Sequence, residues 1–136
     1  VEEQIGVSKD FNSFELRDAI VNRDVYKANL IIKYFDSNPK AGSLFSILPL
    51  LFNYFQNLML AYYAPDKSEQ GVANMLGLKT TWQAKDYIAA MRKYTGVKTM
   101  QIVGEIRYAD AKSKGVKNSS MTDGDILREL VFNILH

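Results

Sequence analysis

Apolar residues recur along this chain at steps of three and four, the spacing of one face of an α-helix. The strongest run is Leu44–Tyr63, LFSILPLLFNYFQNLMLAYY. Its main stripe holds Leu44, Ile47, Leu48, Leu51, Phe52, Phe55, Leu58, Met59 and Tyr62. Leu50, Tyr54 and Ala61 extend it onto an adjoining side. A helix apolar over so much of its girth must be covered on several sides. Asn53, Gln56 and Asn57 interrupt the run, and each would need a buried partner in lipid. The pattern therefore reads as the central helix of a bundle and not as a membrane span. Pro49 falls in its second turn and is expected to kink or locally unwind it.

Shorter helices are predicted on both sides. Asn12 with Glu15 three residues on fits a capping box that opens a helix over Ser13–Val21, with Leu16, Ala19 and Ile20 inward. Asn22-Arg23-Asp24 reads as a tight turn. Asp24 then caps a helix to about Asp36 that turns Val25, Ala28, Ile31, Ile32 and Phe35 inward. The stretch Ser37–Gly42 has breaker chemistry, and Ser43 caps the central helix. Ser68 caps Glu69–Leu76, with Gly77 at the left-handed C-terminal position. A helix from Thr80 or Thr81 to about Tyr94 buries some of Trp82, Ala84, Tyr87, Ile88 and Met91. Gly96 breaks the chain before a helix from about Val97 to Lys114, which carries Met100, Ile102, Val103, Ile106 and Ala109 and ends at Gly115. Val116–Met121 reads as a polar loop. Thr122 with Asp125 opens a last helix to Leu135, with Ile126, Leu127, Leu130, Val131 and Ile134 inward. No repeat, low-complexity tract or convincing strand is evident. The predicted class is all-α, a single bundle of about six or seven helices around the central apolar helix.

Composition narrows the function. The 136 residues suffice for one domain with a real core. Seventeen basic against 15 acidic residues give a formal charge of +2, too small for a nucleic-acid footprint. The absence of cysteine excludes disulfides and thiolate chemistry. The start, VEEQIGVSKD, has no apolar signal-peptide core, and the first residue is Val1 rather than Met. The chain is therefore expected to be a fragment of a longer protein or a processed product.

Candidate chemistry is sparse. His136, the one histidine, is the last residue, where neither a catalytic triad nor a transition-metal site is readily built. Asp123, Asp125 and Glu129 do not match a calcium loop and suit a helix start. Gly96-Val97-Lys98-Thr99 and Lys114-Gly115-Val116-Lys117 lack the glycine spacing of a phosphate loop. No catalytic, cofactor or metal site is expected. Gln70–Ala90 gives an alternative reading, a helix-turn-helix DNA-binding regulator. Ala73 and Gly77 have its turn spacing, and Lys79 and Lys85 could meet phosphates. Against it, Gln83 stands where an apolar anchor belongs, and Trp82, Asp86 and Tyr87 suit base-edge reading poorly.

Two further features point to structure and assembly. Asp110 and Lys114 lie one helical turn apart and are expected to pair, contributing about 0.3–0.5 kcal/mol as a surface pair. Asp110 follows Val103 and Ile106 on the apolar side, so partial burial is expected. Tyr26, Tyr34, Tyr54, Tyr62, Tyr63 and Tyr108 cannot all be central, and tyrosine is enriched at interfaces. On the last two helices, Tyr108, Phe132 and Asn133 fall outside the core stripes and are the candidate subunit interface.

The order of these elements resembles the C-terminal domain of the delta subunit of the bacterial DNA polymerase III clamp loader. The matching segments are Phe14-Glu15-Leu16-Arg17-Asp18-Ala19, Arg23-Asp24-Val25-Tyr26-Lys27-Ala28-Asn29 with Ile31-Ile32, and the apolar helix through Leu48–Leu60. They continue with Val72-Ala73-Asn74-Met75-Leu76-Gly77-Leu78, Asp110-Ala111-Lys112-Ser113-Lys114-Gly115 and Leu127-Arg128-Glu129-Leu130-Val131-Phe132. The resemblance runs from about Ser8 to His136 and lies in the ordered series, since no single motif is specific. It implies that residues 1–10 are the tail of a preceding lid domain or a linker, and that residues 11–136 are a helical collar domain. In that family, collar domains of delta, delta-prime and gamma or tau pack into a ring. The ring holds the loader together while AAA+ modules act on DNA and the sliding clamp. Delta opens the clamp through its N-terminal part, which this chain lacks, and has no working ATPase site. The resemblance thus implies a cytoplasmic, non-enzymatic assembly domain of a subunit of the replicative DNA polymerase holoenzyme. Its partners would be gamma/tau and delta-prime, and it would bind no cofactor, membrane or specific nucleic acid.

Overall fold

Short polar side chains fix the helix starts. The computed structural model describes residues 10–115 and 120–136. Among the described residues it has seven helices and no strand. These are α1 (Ser13–Val21), α2 (Val25–Ser37), α3 (Leu44–Tyr62), α4 (Glu69–Leu76), α5 (Thr81–Met91), α6 (Gly96–Ser113) and α7 (Asp123–Leu135). The chain is thus the all-α bundle expected. The tail Val1–Lys9 and residues 116–119 of the polar loop lie outside the described residues.

Each start is capped by the side chain before it. Asn12 Oδ1 accepts from the Glu15 amide at 3.0 Å, and Asp24 Oδ1 from Lys27 at 3.0 Å. Ser68, Thr80, Thr95 and Thr122 cap α4 to α7 in the same way. At α3, Ser43 and Ser46 form a reciprocal capping box. Such a cap contributes about 1 kcal/mol. Gly77 and Gly115 sit at φ +67° and +79°, the left-handed conformation that closes α4 and α6.

Five helices, α1, α4, α5, α6 and α7, pack on α3. Ile47, Leu51, Phe55, Leu58 and Ala61 are fully enclosed. By length and apolarity alone α3 could cross a membrane, but this enclosure accounts for its composition. The interruptions point outward: Asn53 and Gln56 are exposed, and Asn57 Nδ2 donates to the Tyr87 hydroxyl at 3.1 Å. Pro49 does not unwind α3, which runs unbroken through it. Pro49 is exposed, and the carbonyl that loses its N–H partner belongs to Phe45, an exposed residue at the helix start where solvent can serve it.

The sequence places the end of α5 three residues too late. The helix stops at Met91, and Tyr94 lies in the turn before α6 as a fully buried side chain. Its ring meets Phe55 edge-on at 5.3 Å, and its hydroxyl donates to the Ile20 carbonyl. The Tyr62 hydroxyl sits between the carbonyls of Met91 and Tyr94. Arg23 occupies the α1–α2 turn at φ +54°, rests its guanidinium 5.0 Å over the Tyr94 ring, and donates to the Leu135 carbonyl at 2.7 Å. One aromatic in a turn therefore joins α1, α3, α5 and α6, and its arginine reaches the end of α7. Two other expectations shift. Met100 points outward while Thr99 is buried in its place, its hydroxyl donating to the Thr95 carbonyl at 2.8 Å. Trp82 faces solvent, and Ala84 provides the buried contact of α5.

Two predictions follow from this packing. Leu51→Ala or Phe55→Ala is expected to cost roughly 2–5 kcal/mol in urea unfolding. Values under about 1 kcal/mol, the usual range of surface sites, would contradict an enclosed α3. Burial pushes the Tyr94 phenol up to about 12, with Arg23 partly opposing, and also raises Tyr54. Unfolded phenols titrate near pH ~10. The folded state thus holds these protons more tightly. Stability is expected to be level below about pH 10 and to fall as pH rises through the folded value. Tyr94→Phe should shallow that fall while lowering stability at neutral pH by about 0.5–1.5 kcal/mol, because the Ile20 carbonyl loses one of its donors and keeps the Arg23 amide at 3.0 Å.

Candidate subunit interface

Helices α6 and α7 run antiparallel and are joined by polar contacts along their length. Lys98 Nζ donates to the Asn133 carbonyl at 2.8 Å, and Asn133 Nδ2 to Glu105 Oε1 at 2.9 Å. Further along, Lys112 pairs with Glu129 and lies 3.9 Å from the Met121 sulfur. The Glu129 carboxylate raises the Lys112 pKa above its ordinary value.

The core side of α6 carries Ile102, Val103, Ile106 and Ala109. The opposite side, at helical steps of three and four, carries Val97, Met100, Gly104 and Tyr108. Val97 and Met100 are exposed, and Tyr108 is 42% exposed. A side chain at Gly104 would meet nothing within 4 Å. Val97, Met100 and Tyr108 therefore form an apolar stripe along the outward side of α6, flanked by the exposed Gln101 and Arg107. Lys112 Nζ lies 4.3 Å above the Tyr108 ring, so the lysine bridges Tyr108 to Glu129 on α7. One turn on from Glu129, Phe132 is 62% exposed and packs on the His136 ring at 4.5 Å. Tyr108 thus lies against the Lys112–Glu129 pair, and Phe132 follows Glu129 by three residues on α7 as a second exposed aromatic. Asn133 lies elsewhere: its amide and its carbonyl are taken up between α6 and α7.

Asp110 and Lys114 pair at 3.0 Å, each about half exposed. They form one end of a feature that sequence reasoning missed, a groove of ≈ 460 Å³ between α3 and α6. Phe45, Leu48, Pro49 and Phe52 line it from α3, and Ile106 and Arg107 from α6. The available signal was Phe45, an aromatic lying off the central stripe.

Helices α4 and α5 pack on each other across the left-handed Gly77 cap. Its buried residues, Val72, Ala73 and Ala84, pack with Ala61 and Ala64 as a small second core. The outward face of α5 presents Trp82, 72% exposed, with Lys85 Nζ 5.0 Å from its ring. Among the described residues, no group of three or more histidine or acidic side chains could hold a metal ion.

No protein-family model and no curated protein sequence matches this chain. Its fold matches a solved structure, the DNA clamp loader delta protein of Bacillus subtilis, with a TM-score of 0.68 at 20% sequence identity. The match covers 99% of this chain and 39% of that protein.

Duplex DNA is expected to bind this domain weakly, without sequence preference, and to be released by moderate salt. A gel-shift titration at about 0.15 M salt checks this. A tight complex abolished by Lys79→Ala with Lys85→Ala would revive the helix-turn-helix reading.

Proposed function

We propose that this chain is the C-terminal collar domain of a clamp-loader delta subunit, an assembly module without an active site of its own. The observation that carries the reading is the fold match: nearly the whole chain superimposes on two-fifths of a clamp loader delta protein. The order of the sequence segments supports the same assignment independently. The outward apolar stripe of α6, together with Phe132 on α7, supplies anchors with a polar rim, the make-up of an assembly surface.

In this role the domain joins the C-terminal domains of gamma/tau and delta-prime in a heteromeric ring. The ring holds the loader together while the full-length subunit opens and loads the sliding clamp in the bacterial cytoplasm. Contact with the clamp belongs to an N-terminal region outside this chain. Unlike subunits meet through faces that need not match themselves, so the domain alone is monomeric or weakly self-associating.

Mixing the domain with gamma and delta-prime C-terminal domains from the same bacterium tests this. A stable complex is expected at micromolar concentration, weakened by Tyr108→Glu and Phe132→Glu. Absence of any complex would overturn the reading. A complex indifferent to both substitutions would move the interface away from α6–α7.

A further inference from the structure

The groove between α3 and α6 has a chemistry distinct from the α6–α7 surface. The two helices run antiparallel: the Gly96 end of α6 lies against Tyr62, and Arg107 lies over Phe52. Near the start of α3 a trough lies between them. Its floor is apolar. Phe45 and Pro49 are exposed there and Phe52 is half-buried, on a helix whose other large apolar side chains are mostly enclosed.

The rim is cationic. Asp110 is already paired with Lys114 at 3.0 Å. Arg107 is exposed and has no acidic partner among the described residues; its guanidinium rests 5.7 Å from the centre of the Phe52 ring. A guanidinium laid on an aromatic face is held in place by that contact, and its planar fork stays open to a carboxylate. The three rim charges leave the groove at +1. An unpaired arginine beside an apolar trough is complementary to a carboxylate beside an apolar anchor. The volume of ≈ 460 Å³ suits bulky side chains.

We propose that this groove receives an acidic amphipathic helix from a partner protein. One bulky apolar side chain of that helix packs on Phe45 and Phe52, and a carboxylate about one turn away pairs with Arg107. A helix laid between two helices is a recurrent mode of recognition and meets the trough along its length. The inference rests on the assembly reading for the identity of the partner, and on the groove's own chemistry for the kind of surface that partner brings.

The test uses the whole chain, isotope-labelled for NMR, and two synthetic helical peptides of equal length. One has leucine and phenylalanine on one face flanked by glutamates; the other has lysines in place of the glutamates. The acidic peptide is expected to shift amides at residues 45–52 and 107–114. The lysine peptide, and the acidic peptide with the Arg107→Glu protein, are expected to bind about tenfold more weakly or less. Equal binding of both peptides, shifts confined to α6–α7, or no binding of either would overturn the groove as an acidic-helix site. A second arm mixes Arg107→Glu with the gamma and delta-prime C-terminal domains. Weakening of that complex supports the groove as its contact. A complex lost with Tyr108→Glu but indifferent to Arg107→Glu overturns the groove and leaves assembly standing. Binding of the acidic peptide without any gamma or delta-prime complex overturns the assembly reading and leaves the groove.

Discussion

One constraint organises this domain: α3 is apolar around most of its circumference and has to be enclosed. Five helices supply the enclosure, and each spends its apolar stripe doing so. The buried side of α6 is used up by Ile102, Val103, Ile106 and Ala109, and that of α7 by Ile126, Leu127, Leu130, Val131 and Ile134. The core is complete without the other side of α6, yet Val97, Met100 and Tyr108 make that side apolar as well. Gly104 lies among them. A helix-interior glycine costs roughly 0.5–1 kcal/mol relative to alanine, and no contact inside the fold calls for one there. Stability alone does not explain this surface; the assembly role proposed above gives it a use.

The polar atoms inside the bundle decide how that surface is held. Tyr94 brings a hydroxyl into the core and satisfies it on Ile20, while Tyr62 serves the carbonyls at the α5–α6 turn. Arg23 then bridges the Tyr94 ring to the Leu135 carbonyl at the end of α7. A cation at a helix C-terminus is favourable, so the same contact steadies the end of α7. At the other end of α7, Arg128 reaches both Asp36 of α2 and Asp125 of its own first turn, and with Thr122 it holds the Asp125 carboxyl below the usual carboxylate range. Both ends of α7 are anchored, and with them the placement of Phe132.

Much of this was legible in the chain. The caps at Asn12, Asp24, Ser43, Ser68 and Thr122 mark helix starts because they act locally, on the amides two or three residues on. Inward faces were legible wherever a stripe has one partner side. Errors arose where tertiary contacts overrule periodicity. Tyr94 between Lys93 and Thr95 carries no helical signal, and its burial depends on Phe55 and Ile20, far away in the sequence. Met100 and Trp82 look like core residues by type, but the buried positions went to the smaller Thr99 and Ala84. Pro49 was read from its missing amide proton, whereas the exposure of its turn decides the outcome. At the site, Tyr108 and Phe132 were visible as residues off the core stripe. The α3–α6 groove was not, because it exists only once two helices distant in the sequence pack side by side.

The central claim is that the outward side of α6, with Phe132, is left apolar for assembly with unlike subunits. Hydroxyl-radical footprinting reads this directly, side chain by side chain, on the domain with and without its gamma and delta-prime C-terminal partners. The account predicts that oxidation of Met100, Tyr108 and Phe132 falls on mixing, while that of the more exposed Trp82 on α5 does not change. Undiminished oxidation of all three in a mixture that has formed a complex would contradict it.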